Sequence, residues 1–339
     1  MYTEFKNPTQ AALRFSRNQI IVYLVWSAIV VCVYYFSRWE LISIPFLPVS
    51  LIGTALAFFL GFKSNASYDR LYEARKNYGS IVNDSRAWAI MLNAYITNNS
   101  NKEISKEEIH QIKKELVDRH IAWMYAHKFY LRHKRQPWER DADFHNQHRE
   151  RLQEDFNIET DLEQNLLRFL SREEVSAVVR SANPATQLLN NQGKRLAELR
   201  EANIIEDFRL FELQNQINKL LDDQGKNERI KNFPYPLQFS FMLKISLRIF
   251  SLLLPFALIT ELNKQGEYFI WLTIPFSAII NWIFYFSERN SEYSENPFQG
   301  LIYDVPITNI TRTIEIDMLQ TIGVETVPEP VVAKNGILM

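Results

Sequence analysis

One uncharged segment of this chain runs without a break into a strongly charged one, and both have helical spacing. Residues Leu47 to Phe62 read LPVSLIGTALAFFLGF, and Lys63 to Arg86 continue as KSNASYDRLYEARKNYGSIVNDSR. The first part is apolar enough to lie in a lipid bilayer, whereas the charges of the second part belong in water. The pattern therefore predicts one long helix that leaves a membrane and continues beyond it.

Three side chains recur at four-residue steps within the apolar part. Thr54, Phe58 and Phe62 fall on one face of a helix, because a helical turn contains 3.6 residues. A regular file of bulky side chains on a membrane-crossing helix is what the constriction of a pore needs. The same file also suits contact with lipid or with other helices, since a hydroxyl at a four-residue step favours helix packing too. These residues alone leave both interpretations open.

Uncharged runs of sufficient length predict four membrane-crossing helices. The segments are Ile20 to Phe36, Ile42 to Phe62, Ile249 to Thr260 with its less apolar flanks and an interruption at Pro255, and Tyr268 to Phe286. The connections within each pair are short, so the four segments form two helical hairpins.

The distribution of basic residues predicts how these hairpins are oriented. The outer connections hold only Arg38 and Lys264, whereas basic residues are frequent on the other side of the predicted spans. Those on the other side are Arg14, Arg17, Lys63, Arg70, Arg75 and Lys76. Because basic residues accumulate in the cytoplasm, both termini and the long middle region are expected to be cytoplasmic. The expected location is a plasma membrane, which the chain crosses several times.

The middle region is charged and has helical periodicity throughout. Strand-type alternation is almost absent, so we expect an all-α protein. We divide the whole chain into an N-terminal segment with the first hairpin at 1–62 and a helical cytoplasmic domain at 63–235. The second hairpin follows at 236–290 and a cytoplasmic C-terminal segment at 291–339.

Composition and motifs argue against several functional classes. The chain of 339 residues has 38 Lys and Arg against 39 Asp and Glu, so no basic field predicts a nucleic-acid partner. His145 and His148 have a spacing that two metal ligands could share, but no third ligand follows, and a solvated helix face is the favoured interpretation. Nucleotide-binding and hydrolase motifs are missing. We therefore predict no metal, no cofactor and no enzyme activity.

Four blocks in a fixed order carry a resemblance to a known family. They are FFLGFKSNASYDRLYEARKNYGSIVNDSRAWA from Phe58, NERIKNFPYPLQFSFMLKISLRIFSLLLPFAL from Asn227, SENPFQGLIYDVP from Ser294 and TRTIEIDMLQTIG from Thr311. In order and spacing they resemble the bestrophin ion channels, and the bacterial branch most closely. The resemblance extends over most of the chain.

This resemblance implies a homopentamer of four-span subunits around one axial pore, through which monovalent ions pass passively. The second span of the family lines a hydrophobic neck, whose residues correspond to Thr54, Phe58 and Phe62 here. A second, cytoplasmic constriction in the family corresponds to the segment ANIIEDFRLFELQNQ, with Phe208 as the matched residue and Ile205 as the alternative. The implied partners are copies of the same chain, the lipid bilayer and the permeant ions.

One segment of the chain departs from the family, and the predicted neck bears on which ions the channel selects. Animal members hold calcium with an acidic cluster after Asn-Pro-Phe, whereas here Asn296 to Phe298 are followed by QGLIYDVP with Asp304 as the single carboxylate. Calcium needs six to eight oxygen ligands, so we predict no calcium gating through this segment. The predicted neck carries no charged ring, and the positive edges of its phenyl rings favour anions such as chloride.

Other functions remain as alternatives. The family also contains bacterial channels that select cations, so a sodium or potassium channel of the same fold is the first. A membrane-anchored helical sensor or scaffold that conducts no ions is the second. A membrane enzyme with a site at His145 and His148 is the third.

Overall fold

The computed structural model describes residues 8–37, 44–97, 104–133, 136, 150–156 and 161–339. Regular structure in these ranges is helical, and the single exception is an isolated β-bridge between Lys334 and Ile337. The predicted all-α class is confirmed for the described residues.

The described helices follow one another along the chain in a fixed order. They are α1 (Pro8–Ser37), α2 (Phe46–Tyr95), α3 (Lys106–His133), α4 (Leu162–Leu166), α5 (Arg172–Val179), α6 (Pro184–Glu201), α7 (Asp207–Asn232), α8 (Leu237–Asn263), a 3-10 helix (Glu267–Leu272), α9 (Thr273–Glu295) and α10 (Ile307–Thr321). Residues 150–155 are also helical.

The described chain divides into two compact units. We call residues 8–70 and 234–295 the apolar unit, and the described residues of 71–233 and 296–339 the charged unit. Helix α2 contributes to both units, because its residues up to Arg70 belong to the first and those from Leu71 to the second.

Helix α2 is one continuous helix of 50 residues, as the sequence predicted. Pro48 lies in its first turn, where the missing backbone N–H has no helical partner to lose. At 1.5 Å per residue the helix is about 75 Å long. A bilayer core is only about 30 Å thick, so α2 is too long for all of it to lie in a membrane.

Four helical stretches of the described chain are long and apolar enough to cross a membrane. They are Ser16–Ser37, Phe46–Tyr95, Leu237–Asn263 and Glu267–Glu295. The predicted interruption at Pro255 does not occur, since α8 continues through it. Apolar helices tolerate an internal proline when neighbouring groups satisfy the freed carbonyl. These stretches make the chain an integral membrane protein.

The apolar unit is held by contacts between α2 and α8 and between α1 and α9. Val49, Leu56 and Leu60 of α2 pack in one cluster with Phe250 and Leu254 of α8. Their helices approach closely at Gly53, as is shown by the distance of only 2.9 Å that an added Cβ atom would have to the ring of Phe250. At Gly61, in contrast, no described atom lies within 4 Å of an added Cβ.

The contact between α1 and α9 includes one hydrogen bond over a long sequence separation. The indole Nε1 of Trp282 donates to Ser16 Oγ over 2.7 Å. A second apolar cluster, which contains Val30, Val31 and Ile259, joins α1 to α8. The two hairpins of the sequence are therefore packed against one another in the described part of this unit.

The charged unit has a large core in which the aromatic residues of α2 and α3 meet. Trp88 and Trp123 are buried there. A hydrogen bond of 2.9 Å joins His120 Nε2 to Ser85 Oγ. The sequence suggested that His120 and His127 are partly buried, whereas both are almost completely buried. Burial lowers the pKa of each to about 3, so both imidazoles are neutral at physiological pH.

Side-chain caps are present at helix starts of the charged unit. Ser105 and Glu108 form a capping box at the start of α3, in which each side chain accepts a hydrogen bond from the other residue's backbone N–H. Asn183 caps α6 through the backbone N–H of Thr186, and Pro184 occupies the first helical position.

Gly53→Ala should lower the free energy of unfolding by about 1–3 kcal/mol, because the new methyl group overlaps the buried ring of Phe250. Gly79→Ala in the same helix is the control, since nothing lies within 4 Å of a Cβ there. The control should leave stability unchanged or raise it by up to about 1 kcal/mol. Thermal unfolding of the purified protein in detergent measures both, and equal effects would refute the close contact.

Candidate functional site

The file of Thr54, Phe58 and Phe62 lies on an exposed face of α2. Phe58 is 67% exposed and Phe62 is 65% exposed in the single chain. Their ring centroids are 6.5 Å apart, with the rings tilted by 42°. Thr54 is also exposed, and its hydroxyl donates to the carbonyl of Ser50 at 3.0 Å. The hydroxyl is thus satisfied within its own helix and links α2 to no other helix of this chain.

The opposite face of α2 holds this file in place. Leu56 and Leu60 are each two positions from Phe58, which corresponds to a rotation of about 200° around the helix. Both leucines are buried in the cluster that α2 forms with α8. Since one side of α2 is fixed by this packing, the phenyl rings lie outside the cluster that α2 forms with α8.

A cavity lies beside the ring of Phe62, the last residue of the file. It has a volume of about 420 Å³ and is lined by Phe59 and Phe62 of α2 and by Phe239 and Met242 of α8, among others. The ring of Phe62 therefore has free space next to it on one side. A side chain in this position can change rotamer without displacing a packed neighbour.

A buried cluster of charges follows the file directly. Lys63, which is 1% exposed, places its Nζ 2.8 Å from Ser240 Oγ and 3.4 Å from Glu288 Oε1. The Glu295 carboxylate lies 3.7 Å from the same nitrogen. Lys63 therefore ties the end of the apolar part of α2 to α8 and to α9.

The sequence indicated Lys63 only as one of several basic residues that mark a cytoplasmic side. A signal for its role was present in SERNSEYSEN, where Glu288, Glu292 and Glu295 recur at steps of four and three residues. Three carboxylates on one face of a helix that continues an apolar stretch predict cations close to them. Lys244 supplies the second one, at 2.8 Å from Glu292 and 3.5 Å from Glu288.

The structure separates the two residues predicted for a second constriction. Phe208, in the first turn of α7, is 89% exposed, whereas Ile205 is 3% exposed and belongs to the core of the charged unit. Phe211, one turn after Phe208, is also exposed at 67% and was not identified from the sequence. The start of α7 is anchored by Arg209, which donates to the carbonyl of Tyr95 at 3.1 Å.

The carboxylate of Asp304 is bound by its own loop. Its Oδ2 accepts hydrogen bonds from the backbone N–H groups of Gly300 at 2.5 Å and Leu301 at 2.9 Å. Burial raises the pKa of Asp304 to about 6, and the nearby Arg132 opposes that rise. One of the two carboxylate oxygens of Asp304 therefore closes a turn of its own loop. His145 and His148, the other metal candidates from the sequence, lie outside the described residues.

Comparisons with known proteins point to one family. The sequence model of the family described as "Bacterial/Fungal Bestrophin protein" matches residues 15–320. The voltage-dependent anion channel-forming protein YneE of Salmonella typhi is 29% identical over 273 residues, which are 80% of this chain and 75% of that protein. The voltage-dependent anion channel-forming protein mll4386 of Mesorhizobium japonicum is 24% identical over 305 residues, which are 90% of this chain and 84% of that protein.

Solved structures agree with this result. The crystal structure of a bacterial bestrophin homologue from Klebsiella pneumoniae superimposes with a TM-score of 0.75 at 25% sequence identity. The match covers 91% of this chain and 98% of the Klebsiella chain. The similarity therefore includes both the apolar and the charged part of the sequence.

Lys63→Met should lower the free energy of unfolding by about 3–5 kcal/mol, because it leaves the buried carboxylates of Glu288 and Glu295 short of a cation. Lys264→Met is the control, since Lys264 forms an exposed pair with Glu261 that is worth at most about 1 kcal/mol. Unfolding by heat or denaturant in detergent measures the difference. A similar small effect of both substitutions would contradict the structural role of Lys63.

Proposed function

Because the chain belongs to the bacterial and fungal bestrophin family, we propose that it is a channel that conducts monovalent anions such as chloride passively across a membrane. Relatives that match most of the chain are named as voltage-dependent anion channel-forming proteins, which supports this choice. The observation that carries the proposal is the exposed file of Thr54, Phe58 and Phe62 on a helix that is long and apolar enough to span a bilayer.

We propose a homopentamer in which α1, α2, α8 and α9 each cross the membrane and α2 lines the axis. Five copies would place ten phenyl rings of Phe58 and Phe62 around one neck. The charged unit and both termini lie in the cytoplasm in this arrangement, and the membrane is the bacterial inner membrane. The excess of basic residues at the cytoplasmic ends of the predicted spans supports this orientation.

The chemistry of the neck favours anions. An ion must lose part of its hydration between apolar side chains, and no charged ring is present in the file to replace it. Phenyl rings have a negative face and a positive edge. If the rings present their edges to the axis, the partial positive charge of the edges offsets part of the hydration energy that an anion loses. A cation gains less from the same edges.

A second narrowing is proposed at Phe208. A residue that forms a ring around a pore must expose its side chain in the single subunit, and Phe208 is 89% exposed. Ile205 is 3% exposed and would have to leave the core to reach a pore. Of the two residues that the family resemblance suggested, Phe208 is therefore the one we retain.

Gating is proposed to depend on small movements of the rings at the neck. The free space beside Phe62 supports this idea, because that ring can rotate without disturbing the packed side of α2. A hydrophobic constriction switches between wet and dry states when its radius changes slightly. Such a switch needs no calcium, and Asp304 is already used within its own loop.

Single-channel recording of the purified protein in planar bilayers under a tenfold KCl gradient tests the choice of ion. We expect a reversal potential displaced toward the chloride equilibrium potential, which is about 59 mV from zero for this gradient. A displacement toward the potassium potential would keep the channel and replace the anion by a cation. Absence of current from a verified pentamer would favour a membrane-anchored scaffold.

The double substitution Phe58→Ala and Phe62→Ala tests the neck. Removal of both rings widens the apolar constriction and lowers the cost of dehydration, so conductance should rise or gating should disappear. Phe59→Ala is the matched control, because Phe59 is an exposed phenylalanine of the same helix that lies about 100° around the helix from Phe58, outside the file. Currents of the double variant that equal those of the unmodified protein would exclude these residues as the neck.

A further inference from the structure

A groove between α1, α8 and α9 of the apolar unit combines a basic end with an apolar wall. Its volume is about 500 Å³. Three cations line it together with one carboxylate, that of Glu288, and with apolar and uncharged polar side chains. The cations are Lys244, Arg248 and Arg289, and the apolar side chains include Val22, Leu252 and Phe284.

The groove has one more cation than the neighbouring carboxylates neutralise. Lys244 pairs with Glu292 at 2.8 Å and with Glu288 at 3.5 Å. Arg289 pairs with Glu292 at 2.8 Å. Arg248 is exposed and has neither an ion pair nor a side-chain hydrogen bond with any residue that the structure describes. The surplus positive charge of the groove is therefore that of Arg248.

The position of Arg248 along α8 places this charge at the border of the apolar region. It directly precedes the uncharged run from Ile249 to Thr260, and Lys244 lies one turn before it. Side chains of a helix lean toward its N-terminus, so the guanidinium of Arg248 extends toward Lys244. A cation at this border lies at the level where anionic lipid headgroups can meet it.

We propose that the groove binds one anionic glycerophospholipid of the surrounding bilayer. The phosphate group contacts Arg248, with Lys244 and Arg289 nearby, and an acyl chain lies along Val22, Leu252 and Phe284. A guanidinium offers a phosphate two parallel hydrogen bonds, and basic pockets between membrane helices are suited to anionic headgroups. The apolar wall is the reason to choose a lipid over a free anion, because a free anion gains nothing from it.

This inference requires that α1, α8 and α9 lie in a membrane, but it does not require that the protein conducts ions. Lipid binding and ion conduction can therefore fail independently of one another. A protein that binds the lipid and carries no current would retain this inference and lose the proposed function.

The test measures binding of phosphatidylglycerol to the purified full-length protein in detergent, by native mass spectrometry and by the shift in melting temperature. The unmodified protein should bind phosphatidylglycerol in preference to phosphatidylcholine. Arg248→Gln should weaken this binding about tenfold or more, which is the value of one charge-assisted contact. Val22→Trp, which fills the apolar wall and keeps every charge, should weaken it as well.

Arg17→Gln is the matched control, since it removes the same charge from an exposed residue that does not line the groove. It should bind phosphatidylglycerol as the unmodified protein does. Equal binding by Arg248→Gln and Arg17→Gln would overturn the proposal, and so would the absence of any preference for phosphatidylglycerol. Inorganic phosphate that displaces the lipid, with Val22→Trp having no effect, would overturn it in favour of a free-anion site.

Discussion

Lys63 carries its charge where almost no water reaches it, and three helices of the apolar unit meet around that charge. A buried ammonium group is tolerated only when opposite charges and hydrogen bonds surround it. Ser240 of α8 and Glu288 and Glu295 of α9 provide them. Apolar contacts allow small shifts between helices, whereas the contacts of Lys63 with Ser240, Glu288 and Glu295 are directional. The position of α2 along α8 and α9 therefore depends on them.

The orientation of α2 about its own axis follows from the same constraint. A helix that buries Lys63, Leu60 and Leu56 on one side must expose the residues opposite to them. Phe58 and Phe62 are among those residues, and they are exposed because the other side of the helix is occupied. In the proposed channel the shape of the neck is thus determined by contacts that no ion touches, and the buried side chains act as positioning residues for the phenyl rings.

Local features of the fold could be predicted well. The continuity of α2 from its apolar part into its charged part depends on residues close in sequence, and the predicted long helix is present. The role of Lys63 was missed because its partner Ser240 is 177 residues away. The choice between Phe208 and Ile205 also stayed open, since Ile205 precedes the start of α7 and only packing shows which of the two side chains is buried.

Helical content, the four apolar stretches and the spacing of Thr54, Phe58 and Phe62 follow from the amino-acid sequence, because hydrophobicity and period are local properties. Tertiary structure decided which face of α2 is buried, which carboxylates neutralise Lys63 and Lys244, and that Arg248 has no partner among the described residues. The physical reason is that charges far apart in sequence form pairs only after the helices have packed. Which charged side chain lacks an oppositely charged partner can therefore be seen only in the folded chain.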